Sequence, residues 1–489
     1  MKHCNVPIHQ SLFEWADFQS ATFNFNQPFS LRLLEGEILQ ARTVVRLLPK
    51  RRMVVFGQWQ GKPVVAKLFF DAHHAKRHCE ADAKGMKNLH ERKIPAPKLY
   101  YQGASEDRRV HVLIFEKIEH AESAQTVWEN RRNFESILPQ ASAMLVEIAM
   151  QHVVGVLQQD LHFNNFLIKD KIVYTLDGGQ VALFPYLLPK KESMDNLALF
   201  LAQFGVGNET YQRQLFLDYA KLRGWIVKKE DVSELFLLIK RINEKRWKKF
   251  SKKILRNSSG FLRIKTWRAL TILDRRYQSE EMLQLLADPE AAFQSPDRHM
   301  LKDGRSSTVI KVTVSGRALV IKRYNLKNKR HWLRRCLRPT RAANVWRLAH
   351  KLALFCIQTA EPVAFIEKSY FGLRSVSYYV TEYVSGMQVN DYIAAHQSEE
   401  AKLTDMVYHV TALLKSLAKI EMTHGDLKAS NILLNHQALP VLIDLDGAME
   451  HYSLFGLHQA WQKEIARFLK NFKADSFIMK KFQETLYSR

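Results

Sequence analysis

The sequence predicts an α+β protein built twice over: a β-rich lobe, a helical lobe, then the same pair again. Three observations predict it. Asp160 and Asn165 are five residues apart, as are Asp426 and Asn431, and a further Asp ends an apolar strand 17 residues on from Asp160 and 18 on from Asp426, at Asp177 and Asp444. Upstream of each loop an apolar strand carries one lysine, Lys67 after Val64-Val65-Ala66 and Lys322 after Leu319-Val320-Ile321. At 489 residues the chain exceeds one ordinary core, so a repeat of whole domains accounts for its length better than a short-period solenoid.

In chain order, residues 1–20 show no periodicity and are expected to be a loosely held lead-in. Apolar runs at 44–48, 53–56 and 64–70, separated by the turns Pro49-Lys50-Arg51-Arg52 and Gly61-Lys62-Pro63, read as strands. A helix over 75–91 follows, with Glu80 placed to pair with Lys67, and Pro95 and Pro97 stand beyond its end. After a strand at 110–115, Glu116-Lys117-Ile118 reads as a hinge between lobes. A long apolar helix at 138–153 takes Pro139 in its first turn, where proline is tolerated. The helical, increasingly basic stretch 194–286 is assigned to the first copy, which spans 22–285. Asp288-Pro289 through Ser295-Pro296-Asp297 marks a linker at 286–297, and the second copy spans 298–489. Gly304 lies in a small polar turn whose N–H groups could cover phosphates, and Glu382-Tyr383 is the second hinge. Aligning Ile94 on Ile357 puts the position of Glu80 at Ala343, with Asn344 beside it, so the second copy lacks the helix carboxylate. Only 43 residues follow Asp446, a minimal final lobe.

The apolar fraction of 46% and charged fraction of 25% are those of a globular protein. No apolar run reaches the roughly 18 residues of a membrane span, and Met1-Lys2-His3-Cys4-Asn5 has no signal-peptide core. Cys4, Cys79, Cys336 and Cys356 are too scattered for a zinc site or a disulfide frame and read as reduced cytosolic thiols. The net charge of +24 is concentrated: residues 240–268 carry twelve Lys/Arg against Glu244 alone, and 322–347 carry ten with no acid. Such fields attract polyanions, among them an anionic membrane surface. Nucleic acid rests on charge alone, with neither zinc spacing nor an aromatic RNA-binding motif behind it.

His424-Gly425-Asp426-Leu427-Lys428 through Asn431-Ile432-Leu433 keeps the spacing of a protein-kinase catalytic loop, H-R-D-x-x-x-x-N, and Ile443-Asp444-Leu445-Asp446 that of its metal-binding strand end. These residues, with Asp160-Leu161-His162 through Asn165-Phe166-Leu167 and Leu176-Asp177-Gly178, resemble the lipopolysaccharide kinase (Kdo/WaaP) family. The resemblance implies two tandem bilobal protein-kinase-like domains and an ATP-dependent phosphotransferase acting on sugars of the lipopolysaccharide inner core, peripheral on the cytoplasmic face of the inner membrane. It implies Asp160 and Asp426 as bases; Asn165, Asp177, Asn431 and Asp444 as Mg²⁺ ligands; and Lys67, Glu80, Glu116, Lys322, Gly304, Glu382 and Tyr383 around ATP. The partners implied are an anionic glycolipid and an anionic membrane. A protein or small-molecule acceptor, or a pseudokinase scaffold in one copy, are the alternatives. The sequence departs from the pattern at Gln158, where the first copy lacks the loop His, and in having no multi-glycine phosphate loop. With its Lys67–Glu80 pair, the first copy is expected to be the competent one.

Overall fold

The computed structural model describes residues 11–131, 134–296, 298–326, 332, 336–474 and 476–487. The N-terminal segment with Cys4, Asp297 of the expected linker, residues 327–331 and 333–335 of the second basic run, and the last two residues lie outside the described residues. The chain divides into two units: residues up to Gln203 with Thr210–Ile242, and Phe204–Glu209 with everything from Asn243 on.

The first unit opens with α1 (Trp15–Ser20), β1 (Phe29–Arg32), β2 (Ile38–Leu48), β3 (Arg52–Trp59), β4 (Lys62–Phe69), α2 (Ala75–Glu91), β5 (Leu99–Ala104) and β6 (His111–Glu116). The strands form one antiparallel sheet in the order β1-β2-β3-β4-β6-β5. Side chains alternate across a strand, so Val64, Ala66 and Leu68 join the core that Met53 and Val55 also line, while Lys67 points to the other face. The lead-in is not loose where it is described. Phe18 is fully buried, Phe13 stacks on Phe29, and the Phe13 N–H donates to the Ser30 carbonyl, because an aromatic cluster holds the segment to the sheet. The unit continues through β7 (Glu122–Ser123), α3 (Ala124–Glu129), α4 (Leu138–Val153), β8 (Val156–Gln158), β9 (Phe166–Lys169), β10 (Ile172–Thr175), β11 (Val181–Leu183), α5 (Lys190–Leu201) and α6 (Glu209–Leu222). The division between units falls within α7 (Lys229–Lys253).

The second unit carries β12 (Phe261–Lys265), β13 (Ala269–Asp274), α8 (Glu280–Ala287), α9 (Pro289–Gln294), β14 (His299–Asp303), β15 (Ser307–Val314), β16 (Arg317–Tyr324), α10 (Arg341–Leu354), β17 (Pro362–Tyr370) and β18 (Leu373–Glu382). Its sheet runs β12-β13-β17-β18-β16-β15-β14. The domain boundary expected at 285 is therefore displaced. β13 pairs antiparallel with β17, Leu273 opposite Ala364, so residues 243–285 fold with the second unit. The expected linker is folded as well: Phe293 of α9 joins Met282 and Leu286 of α8 against Ile310, Ile321 and Val380 of the sheet. Apolar residues at helical spacing outweighed the turn-forming prolines. Below the sheet follow β19 (Gly386–Gln388), α11 (Val389–Ala395), α12 (Glu400–Lys419), β20 (Met422–Thr423), β21 (Ile432–Asn435), β22 (Pro440–Leu442), β23 (Met449–Glu450), α13 (Leu454–Leu469) and α14 (Phe477–Tyr487). Five strands keep one order in both units, β2-β3-β4-β6-β5 and β14-β15-β16-β18-β17, with a helix after the third strand in sequence.

Each unit buries a histidine against its core. His350 of α10 sits edge-on to Trp346 and Phe261. Burial, then the nearby Arg276 charge, pushes its pKa down from 6.5 to about 3. Burial likewise lowers His152 to about 4. A group neutral in the fold contributes stability that is complete above its unfolded pKa and is lost as pH falls toward the folded one. Between pH 7 and about pH 4.5, His350 should cost the second unit about 2–3 kcal/mol. Urea unfolding at both pH values should show that slope in the unaltered protein and a shallower one in His350→Leu.

Candidate active site

In the second unit the loop 424–431 hangs between β20 and β21. Glu464 of α13, buried, accepts from the His424 N–H at 2.9 Å and from the Gly425 N–H. His424 Nε2 meets the Ile443 carbonyl at 2.9 Å, tying the loop to the strand end that carries Asp444. Gly425 has φ +77°, and a Cβ there would lie 1.9 Å from the Gly447 carbonyl oxygen, so only glycine permits the two backbones to touch. The Asn431 amide donates from Nδ2 to the Asp426 carbonyl at 2.8 Å, which leaves Oδ1 as an acceptor. Asp426 itself is partly exposed, with Lys428 Nζ at 2.9 Å and Arg467 Nη1 at 3.6 Å.

Lys322 is held between two carboxylates of one turn, Asp444 Oδ1 at 2.5 Å and Asp446 Oδ2 at 2.8 Å. Asp444 takes the left-handed conformation (φ 59°), and the Tyr324 hydroxyl donates to Asp446 Oδ1 at 2.5 Å. Burial alone would raise the Asp444 carboxyl, but the Lys322 ammonium holds it below the usual carboxylate range. The helix of this unit, α10, carries no Asp or Glu, and Asp446 supplies the lysine with a second carboxylate beside Asp444. An ionised Asp444 and the Asn431 Oδ1 are hard oxygen donors of the kind Mg²⁺ takes. Among the described residues no cluster of three or more His, Cys, Asp or Glu could hold a metal.

The first unit repeats the arrangement with different partners. Asn165 Nδ2 donates to the Asp160 carbonyl at 2.7 Å, and His162 Nε2 lies 3.4 Å from Asp160 Oδ2, at the offset of Lys428 from Asp426. Lys67 Nζ meets Asp82 Oδ2 at 2.7 Å and Asp177 Oδ1 at 3.7 Å. The expected Lys67–Glu80 pair is absent. Glu80 is exposed and lies 3.9 Å from Lys76, because two residues rotate a helix by about 200° and put Asp82 on the buried face instead. Asp82 also accepts from the Gly178 N–H at 3.1 Å. Burial raises its pKa against the pull of Lys67. A Cβ on Gly85 would fall 1.9 Å from the Gly178 carbonyl oxygen, so α2 lies backbone-close to this turn. Gln158, in the place of His424, is buried and neither of its amide atoms has a hydrogen-bond partner among the described residues.

The missing glycine loop has cations in its stead. Arg52 bears electrostatically on Asp177, Arg46 on Asp177 and Asp160, and Lys302 on Asp444. The Gly304 N–H is spent on the Ser307 carbonyl at 3.1 Å. The N–H groups of Glu116, Glu382 and Tyr383 donate to the carbonyls of Lys98, Glu361 and Ala318. Asp82, Asp446, Tyr324, Glu464 and the pair Lys428/His162 were not singled out in sequence. Of these only the shared offset of Lys428 and His162, two past the loop Asp, was visible there.

Removing one partner of a buried ion pair leaves the other charge uncompensated. Asp177 remains near Lys67, so Asp82→Ala should cost about 2–3 kcal/mol, at or below the usual 3–5, whereas Glu80→Ala should stay within about 0.5 kcal/mol. Chemical denaturation of the two variants separates the assignments.

No curated protein matches the chain. The family model of the lipopolysaccharide kinase (Kdo/WaaP) family matches residues 284–487, which hold Lys322, the 424–431 loop and the turn at Asp444. Over these residues the chain is similar to that family of kinases, which supports an ATP-dependent phosphotransferase.

Proposed function

We propose that the protein phosphorylates a sugar hydroxyl of the lipopolysaccharide inner core, heptose or Kdo, at the cytoplasmic face of the inner membrane. The observation that carries this reading is Lys322 held at 2.5 and 2.8 Å by Asp444 and Asp446, on a turn tied through His424 to the Asp426–Asn431 loop. Phosphoryl transfer needs placement and charge neutralisation more than covalent chemistry. Asp426 orients the acceptor hydroxyl and takes its proton as the oxygen–phosphorus bond forms and the bond to the ADP oxygen breaks. Lys322 and Lys302 neutralise the phosphates that stay behind. Asn431 Oδ1 and Asp444 would hold Mg²⁺, which supplies positive charge to the phosphate oxygens. Lys428 and Arg467, flanking Asp426, suit an anionic sugar acid or phosphate.

The first unit reads as a second copy of the same fold, supported by the shared strand order and by Lys67, Asp160, Asn165 and Asp177 in corresponding places. Each unit has a carboxylate beside its lysine, Asp82 or Asp446, so the ground for ranking the first unit above the second is gone. We assign transfer to the second unit, where the loop His is present and bonded. The buried Gln158 side chain, without a hydrogen-bond partner among the described residues, favours a reduced or scaffolding role for the first. The attachment to the membrane is peripheral. Lys245, Lys248, Lys249 and Lys252 are exposed along α7, and no helix among the described residues is long and apolar enough to cross a bilayer.

The decisive assay is transfer of labelled phosphate from ATP to purified core glycolipid, beside a protein substrate and a control without acceptor. Asp426→Ala should slow transfer by roughly 10²–10⁴-fold, the usual worth of a positioned base, and Asp160→Ala by far less. Labelling of the protein substrate instead of the glycolipid would redirect the reading to another acceptor. Calorimetry supplies a second test: in a chain whose first-unit site is removed by Asp177→Asn, Asp444→Asn should abolish the metal-dependent nucleotide binding that remains, while the chain still unfolds cooperatively on heating. Unchanged Mg²⁺–ATP binding by that variant would remove Asp444 from the site.

A further inference from the structure

The two acid-poor basic runs meet at one end of the second unit's sheet. There the β12–β13 and β17–β18 turns lie side by side, the Ser369 N–H donating to the Arg268 carbonyl at 2.7 Å and its hydroxyl to the Trp267 carbonyl at 3.2 Å. The second run reaches the same place through Arg374, whose Nη1 donates to the Leu337 carbonyl at 3.1 Å and whose N–H donates to the Cys336 carbonyl. Four large apolar side chains stand out at these tips: Trp267 is 70% exposed, Leu337 79%, Tyr370 71% and Phe371 89%. Around them sit Arg263, Lys265, Arg268, Arg338, Lys368 and Arg374, and the segments 261–268, 336–341 and 368–375 contain no Asp or Glu. Arg268 lies over the Trp267 ring, 4.2 Å from its centroid.

The turn chemistry gives an independent sign. Phe371 has φ 48° and Gly372 φ 79°, the two positive values of the tight hairpin turn in which Asn-Gly is favoured. A bulky residue at the first position is strained, and such strain persists where function uses it. Neither the core nor the turn calls for phenylalanine here.

We infer that this convex, aromatic-tipped and basic end of the second unit inserts into an anionic bilayer surface and is the part of the protein that holds the kinase to the membrane. The inference deepens the peripheral attachment proposed above and rests on it. Aromatic rings partition at the headgroup level, and the surrounding Lys and Arg keep their charges in water while facing anionic lipid. Leu337, 79% exposed, offers no ring for a base to stack on.

The test uses the full chain and flotation with vesicles of phosphatidylethanolamine and phosphatidylglycerol, against phosphatidylcholine alone. Phe371→Asn suits the positive φ and should leave the unfolding temperature equal or higher. Combined with Trp267→Gln, it should lower binding to the anionic vesicles by about tenfold or more, equivalent to about 1.4 kcal/mol, while Mg²⁺–ATP binding stays unchanged. Lys265→Glu with Arg268→Glu should flatten the fall in binding between low and high salt. Transfer to vesicle-embedded glycolipid should fall in both variants, and transfer to the deacylated soluble core should not. If the unaltered protein phosphorylates neither acceptor, the proposed activity fails while the vesicle measurements still decide this surface. Vesicle binding that survives the Phe371/Trp267 pair overturns the inference. So does tighter binding of a single-stranded RNA oligonucleotide that the same substitutions remove.

Discussion

A lysine placed inward on a central strand cannot remain alone, because a buried ammonium without carboxylates costs more than the strand can return. Lys322 is mostly buried, and both of its partners come from the turn that begins at Asp444. That demand shapes the surroundings. The turn must double back on itself, so Asp444 adopts a left-handed conformation and Gly447 presses against Gly425. The loop so contacted must be rigid, and Glu464 makes it so by taking two of its N–H groups. Asp426, at the head of that loop, is thus positioned by a chain of contacts that starts at a strand lysine.

The first unit meets the same demand by another route. Asp82 reaches Lys67 from a helix, and the same carboxylate takes the Gly178 N–H, so strand, helix and turn share one side chain. Its burial raises the Asp82 pKa, and the lysine opposes that rise. Asp177 is held on the acidic side by the same ammonium, against the upward push of its own burial. One cation therefore pulls on two carboxylates, prevailing at Asp177 with help from the Gly179 N–H and Arg52 and not at Asp82.

What was legible in the sequence was what is local. The Asp–Asn–Asp offsets follow from a short loop and a hairpin, so both loops fold where they were expected, as do the helices Ala75–Glu91 and Leu138–Val153. The reading failed where a residue's meaning depends on a distant neighbour. Glu80 and Asp82 are two positions apart on one helix, and only the contact with β4 decides which faces Lys67. Asp446 looks like a surface acid until its turn brings it under Lys322. The boundary at 285 missed β12 and β13 because they join the sheet through β17, which pairs with β13 and lies about ninety residues further on. Pro289 and Pro296 signalled a linker, yet the apolar face of α8 and α9 was enough to fold the segment onto the sheet.

The source of the lysine's partner has a consequence for control. In the first unit, any swing of α2 away from the sheet would pull Asp82 from Lys67 and part the close backbones at Gly85 and Gly178. Helix position and lysine alignment are there a single variable. In the second unit α10 contributes no carboxylate to Lys322, and its charged contacts, Arg347 and Lys351, go to Glu450. α10 nevertheless packs against the 445–447 turn, and its Arg341 lies over the Tyr324 ring. An effector that levered this helix would reach the lysine through the turn and Tyr324 rather than through a helix carboxylate.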